Sequence, residues 1–182
     1  MLVDITENVL VDAPPATVWA LVTDIRRHPE FAGPKSITKA VEFDGPVAPG
    51  RSFVAHERFG PRRFDAPSDI LAVDPERELR WVSFPPMKER NRGEGGRVFW
   101  RYGLRPEGGG TRLEHQIQVI EPRKGAGSLR LFYKVCRLPK KQRRGILTSL
   151  CSIKAEAERN ESGHHLAWHP PPEKALQREQ QA

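Results

Sequence analysis

The sequence predicts one α+β domain in which a curved, seven-stranded antiparallel sheet wraps a long C-terminal helix. Three observations predict it. Short segments rich in β-branched and aromatic residues fill the middle of the chain, separated by Gly/Pro clusters. The connections between them are too short for parallel crossovers, so successive strands pair as an antiparallel meander. A strongly amphipathic stretch follows the last of them and supplies the cover that a sheet with one dry face needs.

The first strand is expected near residues 5–11, around Val9, Leu10 and Val11. Asp12, Ala13, Pro14 and Pro15 then read as a helix start, with proline in the first turn. Val18, Trp19, Leu21 and Val22 recur at helical spacing. Asp24 is placed to cap a second short helix from Ile25 to His28, which Pro29 would end. Six further strands are expected at 37–43, 52–59, 64–73, 78–84, 97–104 and 112–120. Pro67 argues for a bulge or an edge position in its strand. Alternation is clearest at the end of the meander. There Val98, Trp100, Tyr102 and Leu104 share one face, as do Leu113, His115, Ile117 and Val119.

The covering helix is expected from Ser128 to Glu161, with Pro139 and Gly145 kinking it or dividing it into two shorter helices. At 100° per residue, Phe132, Val135, Cys136, Ile146, Leu150, Ile153 and Ala157 fall on one side. The domain is drawn as residues 1–161, with 162–182 a mobile polar tail carrying three consecutive prolines.

The chain has 182 residues and a net charge of +7, and the excess is local: residues 122–161 hold 11 Lys and Arg against 3 Asp and Glu. Arg130, Lys134, Arg137, Lys141 and Arg144 form a basic stripe opposite the apolar side of the helix and are expected to point to solvent without partners from the sheet. Arg143 lies nearer the apolar face. It is expected to snorkel to solvent, the alternative being a carboxylate partner at a pocket mouth. No apolar run is long enough to span a bilayer, and the N-terminus shows no basic, apolar leader, so a cytoplasmic location is expected. Cys136 and Cys151 are too far apart along a helix to form a disulfide and are expected as free thiols.

The order of elements and several local motifs carry a family resemblance. The segment from Val18 to Phe31, with Trp19, Asp24, His28 and Pro29, is similar to the helical opening of the START-like, or SRPBCC, superfamily. Three later stretches match in order: Pro49-Gly50-Arg51-Ser52-Phe53, Asp74-Pro75-Glu76-Arg77-Glu78-Leu79-Arg80-Trp81, and Tyr102-Gly103-Leu104-Arg105-Pro106 leading to Gly109-Gly110-Thr111-Arg112-Leu113. The superfamily includes the birch-pollen allergen, polyketide cyclase/dehydrase-like proteins and lipid-transfer domains. The resemblance implies the helix-grip fold over residues 5 to about 160, with a cavity for a lipid, polyketide or aromatic molecule between helix and sheet.

For such a cavity the lining candidates are Phe53, Trp81, Trp100, Tyr102, His115 and Ile117 from the sheet, with Phe132, Ile146 and Leu150 from the helix. Each of these residues reads equally well as plain core. His115 interrupts an apolar face, so it is a candidate for proton transfer or for fixing a ligand carbonyl or hydroxyl; the plainer reading is a hydrogen-bonded core histidine. Tyr102 is the other candidate, through its hydroxyl. His56 and Glu57 point to opposite faces of their strand, so one of them faces inward. His164, His165 and His169 lack the frame a metal site needs, and neither metal nor cofactor is expected. The Gly-rich run at 93–96 lies between strands and reads as a hairpin turn, not a phosphate cradle.

Three functions fit: carriage of a small hydrophobic molecule, a cyclase, aromatase or dehydratase acting on a polyketide-like substrate, or docking of the basic helix on a partner or an anionic membrane. Nucleic acid is disfavoured because no aromatic residues interleave with the basic ones.

Overall fold

A computed structural model describes residues 1–84, 95–122 and 126–167, with side chains to residue 163. The elements run β1 (Val3–Val11), α1 (Pro15–Thr23), a 3₁₀ turn (Ile25–Arg27), α2 (His28–Ala32), β2 (Thr38–Glu42), β3 (Ser52–Phe59), β4 (Arg62–Asp74), β5 (Glu78–Ser83), β6 (Arg97–Glu107), β7 (Gly110–Ile120), α3 (Ala126–Val135) and α4 (Leu138–Ala167). The seven strands form one curved antiparallel sheet of order β1-β7-β6-β5-β4-β3-β2, as the meander predicts once β1 joins β7.

Period-two alternation sets the two faces of the sheet. Leu79, Trp81, Tyr102, Leu104, Leu113, Ile117 and Val119 are buried on the concave side. The convex side is a charge ladder on which Arg101 bridges Glu78 and Glu114, tying β5, β6 and β7. The dry face is covered by α4, whose Ile146, Leu150, Ile153 and Ala157 are almost fully buried at helical spacing. The terminal elements clasp each other as well. The Asp12 amide donates to Glu158 at 2.9 Å, and the Thr17 hydroxyl donates to Glu161 at 2.5 Å. Where β7 starts, a Cβ on Gly110 would stand 2.2 Å from the Val11 carbonyl, so only glycine fits that close approach.

Several local expectations are corrected. Asp24 makes no side-chain cap, and Pro29 does not end a helix; it sits in the first turn of α2, where its missing N–H costs nothing. Gly33, at φ 76°, ends α2 instead. The irregularity in β4 falls between Ile70 and Ala72, not at Pro67. Pro67 takes the edge alternative: it lies just before pairing with β5 begins at Ser68, so its absent N–H breaks no bond of that ladder, while its carbonyl still accepts from Phe84 at 2.8 Å.

The expected single helix is two. A proline at 139 removes a helical hydrogen bond, and its ring crowds the carbonyl four residues back, so α3 stops at Val135. Arg137 then turns the chain at φ 50°, and Pro139 falls harmlessly in the first turn of α4. Gly145 does not interrupt α4, because the burial of Ile146, Ser149 and Leu150 outweighs the roughly 1 kcal/mol a helical glycine costs. The expected apolar stripe is therefore split. Ile146 onward is core, whereas Leu131, Phe132 and Val135 are 63%, 43% and 71% exposed. Helix α4 also continues six residues past Glu161, into what was drawn as tail. Residues 168–182, with Trp168 and His169, lie outside the described residues, as do the His164 and His165 side chains and residues 93 and 94 of the 93–96 turn.

Candidate functional site

The register of the central strands builds a ring-lined wall on the concave face. Trp81 stands opposite Trp100 and Tyr102 opposite His115 across the β5–β6 and β6–β7 pairs. The indoles stack 5.9 Å apart at 8°, and the phenol lies 4.1 Å from the imidazole at 28°. From α2, the His28 ring closes one side, 5.5 Å from Trp81 and 5.7 Å from Tyr102. Ile117 is the cross-strand partner of Trp100. Ile146 and Leu150 come from α4 above the sheet, so the helix and the wall belong to one core cluster.

The polar atoms of this wall fall into two kinds. Some are satisfied: His28 Nε2 donates to the Val22 carbonyl at 2.8 Å, and the Tyr102 hydroxyl is bonded to Ser149 of α4. Others are not. Trp100 Nε1 and both ring nitrogens of His115 are buried and have no partner among the described residues. Each unpaired buried group of this kind costs about 1–3 kcal/mol, so its retention calls for a reason.

Burial also fixes the protonation states. The His115 pKa is pushed down to about 3, first by loss of water and then by the nearby His28. His28 is lowered by burial, against the Val22 hydrogen bond. Tyr102 is raised by burial. At neutral pH His115 is thus a neutral imidazole with one donor and one acceptor, a weak base suited to orienting a polar group. Neither expected proton-transfer candidate ionises near neutrality.

Of the nine expected lining residues, Trp81, Trp100, Tyr102, His115, Ile117, Ile146 and Leu150 are brought together. Phe53 is buried further along the sheet, where its ring meets Phe43 at 6.3 Å beside an open groove of about 590 Å³. Phe132 does not lie under the helix; it meets Phe59 at 5.7 Å on the surface side of α3.

Sequence reasoning missed or left open six polar residues. Glu57 has the parity of the buried Phe53 and Ala55, so it faces inward. His56 faces outward between Glu42 and Asp65, at 2.9 and 2.7 Å. Burial raises the Glu57 carboxyl to about 7, against a hydrogen bond from Thr38. Glu7 stands opposite His115 in the β1–β7 register and pairs with Arg143 of α4 at 2.5 Å. Arg143 therefore takes the carboxylate alternative and does not simply snorkel. His28 could have been found from the helical motif, and Ser149 from its place one residue before Leu150.

The basic stripe is also revised. Arg130 is held by Glu121 at the end of β7, through two contacts of 2.6 Å. Lys141 lies 5.9 Å over the Phe59 ring. These two do have partners from the sheet side: Glu121 directly follows β7, and Phe59 is the last residue of β3. Both cysteines are free thiols. Among the described residues no group of His, Cys, Asp and Glu is arranged to hold a metal ion, and no helix is long and apolar enough to cross a membrane.

The sequence profile of the polyketide cyclase/dehydrase and lipid transport family matches residues 3–134. The chain belongs to this family. The match takes in all seven strands and most of α3, so the ring-lined wall and its histidine lie inside it, while α4 lies beyond. Solved structures share the family's fold at low identity. Protein CV1439 from Chromobacterium violaceum is 17% identical, with a TM-score of 0.61 over 87% of this chain and 99% of its own. Ara h 8.0201 is 16% identical, with a TM-score of 0.54 over 85% and 97%. The di-domain ARO/CYC StfQ from the steffimycin biosynthetic pathway is 12% identical, with a TM-score of 0.61 over 88% of this chain and 52% of its own. No curated protein matches the chain.

Proposed function

We propose that the protein binds a small, largely apolar, ring-bearing molecule between the Trp81–Trp100–Tyr102–His115 wall and α4. His115 and Trp100 would hydrogen-bond its polar substituents. The observation that carries this reading is the set of unpartnered buried atoms, Trp100 Nε1 with both nitrogens of His115, set within an aromatic wall. A flat ring system matches the stacked faces, and its oxygens or hydroxyls match the open donors and acceptor. Membership of a family described by polyketide cyclases, dehydrases and lipid transport supports a ligand of this kind. Carriage is favoured over chemistry at His115, because an imidazole with its pKa near 3 abstracts protons poorly at neutral pH.

The test is native mass spectrometry of the freshly purified protein, together with titration by the uncharged apolar fluorophore N-phenyl-1-naphthylamine. A retained adduct or saturable 1:1 binding is expected, and Ile117→Trp should weaken binding more than it weakens folding. A wild type that binds nothing overturns the reading.

A second reading concerns α3. Leu131, Phe132 and Val135 are exposed beside Lys134 and Arg137, whose side chains have no partner among the described residues. Apolar residues flanked by free cations fit an anionic bilayer surface, from which a carrier could take or deliver its ligand.

A further inference from the structure

The concave face has a second polar place, away from His115. Glu57 reaches it from β3, Tyr133 from α3 and Gln142 from α4, so it lies beneath the junction of the two helices. The three are neighbours in space. Gln142 Nε2 donates to the Tyr133 hydroxyl at 3.4 Å, and Tyr133 is close enough to Glu57 for the carboxylate to hinder ionisation of the phenol, after burial. One contact is left open whichever way the amide is turned. As placed, Gln142 Oε1 is buried without a partner and the Tyr133 O–H is free to donate. Turned over, the phenol donates to the amide oxygen, and a buried N–H₂ is left open. Glu57 takes one hydrogen bond, from Thr38, which leaves its second oxygen free.

We propose that Glu57, Tyr133 and Gln142 form a second pole of the ligand site, which binds the carbonyl oxygen of a ring-bearing ketone or quinone. The inference rests on the reading of the concave face as a ligand site and adds the chemistry of one end of the ligand. The protonated carboxyl and the phenol are donors, and a carbonyl is the acceptor that needs no proton in return. Binding is therefore linked to the protonation of Glu57, which changes near neutrality. The groups facing Glu57 are Thr38 from β2, its cross-strand neighbour Phe64 from β4, Tyr133 from α3 and Gln142 from α4, with Lys141 over the adjacent Phe59. None of these is a carboxylate or a histidine. His56, on the opposite face of β3, has its pKa raised by Asp65 and then Glu42 and is controlled for below.

The experiment uses the whole protein and displacement of N-phenyl-1-naphthylamine by naphthalene or by 2-acetylnaphthalene, at pH 6 and pH 8. With the carboxyl titrating at about 7, affinity for 2-acetylnaphthalene should fall roughly tenfold from pH 6 to pH 8, while that for naphthalene stays constant. Glu57→Gln keeps a donor but cannot titrate, so its affinity for 2-acetylnaphthalene should be the same at both pH values. Tyr133→Phe keeps the ring and should lose affinity for the ketone severalfold at both. If the two probes share one pH profile in the wild type, or if the tenfold fall persists in Glu57→Gln, the second pole is overturned and the apolar site stands. If naphthalene does not bind at all, the ligand site falls, and the second pole with it.

Discussion

Helices α3 and α4 follow one another in sequence, and one periodic apolar pattern runs through both, yet they stand in opposite physical situations. In α4, Ile153 and Ala157 have no exposed surface and Leu150 has almost none. In α3 no residue is buried, and Val135 is 71% exposed. Periodicity states which side of a helix is apolar. It does not state what covers that side. The proline at 139 decides the matter by turning α3 off the line that would have kept its apolar side on the sheet.

The largest expected effect breaks or keeps this contrast directly. Ile153→Ala should cost about 2–5 kcal/mol in urea unfolding, and Val135→Ala less than about 0.5 kcal/mol. Equal losses would mean that α3 is covered in solution after all. The wall under α4 gives the second effect, of opposite sign. His115→Phe removes two unpaired buried nitrogens and should raise stability by about 1–3 kcal/mol while weakening ligand binding. A loss of stability would show a satisfied core histidine instead.

The same histidine predicts acid lability. Its folded pKa, about 3, lies below the unfolded value of 6.5, so burying it costs least above pH 6.5, and stability is lost as pH falls from 6.5 toward 3 because the unfolded chain takes the proton more readily. His115→Phe should therefore flatten the stability profile in that window. Glu57, beneath the α3 end, has the reverse sign. Its folded pKa of about 7 exceeds the unfolded 4.5, so stability is lost as pH rises through that interval. Glu57→Gln should gain about 1–2 kcal/mol at pH 8, after discounting for partial exposure, and nothing at pH 4.

The smallest effect concerns α3 alone. Leu131→Ser/Val135→Ser should leave unfolding unchanged yet abolish sedimentation with phosphatidylglycerol vesicles at low salt. Wild-type protein that ignores the vesicles would leave the exposed patch without that partner.

The fold was legible because its signals are local and repeated. Strand alternation, Gly/Pro turns and short connections leave one meander, and the motifs from Val18 to Phe31 place the helices ahead of it. The aromatic wall was legible for the same reason, since Trp81, Trp100, Tyr102 and His115 each fall on the apolar parity of their strands. What could not be read depends on distance in sequence. That Glu7 faces His115 needs the β1–β7 register, and that Glu57 meets Tyr133 needs the path of α3. The inward choice between His56 and Glu57 was open because both are polar. Only the count from buried Phe53 and Ala55 settles it.

The pairing of β1 with β7 has a consequence for how the chain assembles. Strands β2 to β7 each pair with the strand next to them in sequence, but Val3 must wait for Val119 and Leu10 for Arg112. Closing so long a loop is slow, which places refolding in the millisecond-to-second range expected of non-local sheets. During synthesis the first strand emerges long before its partner and stays unpaired until β7 follows it. An unpaired strand is a template for other chains. Asp4, Glu7 and Asn8, spaced along it, make it a poor template while it waits.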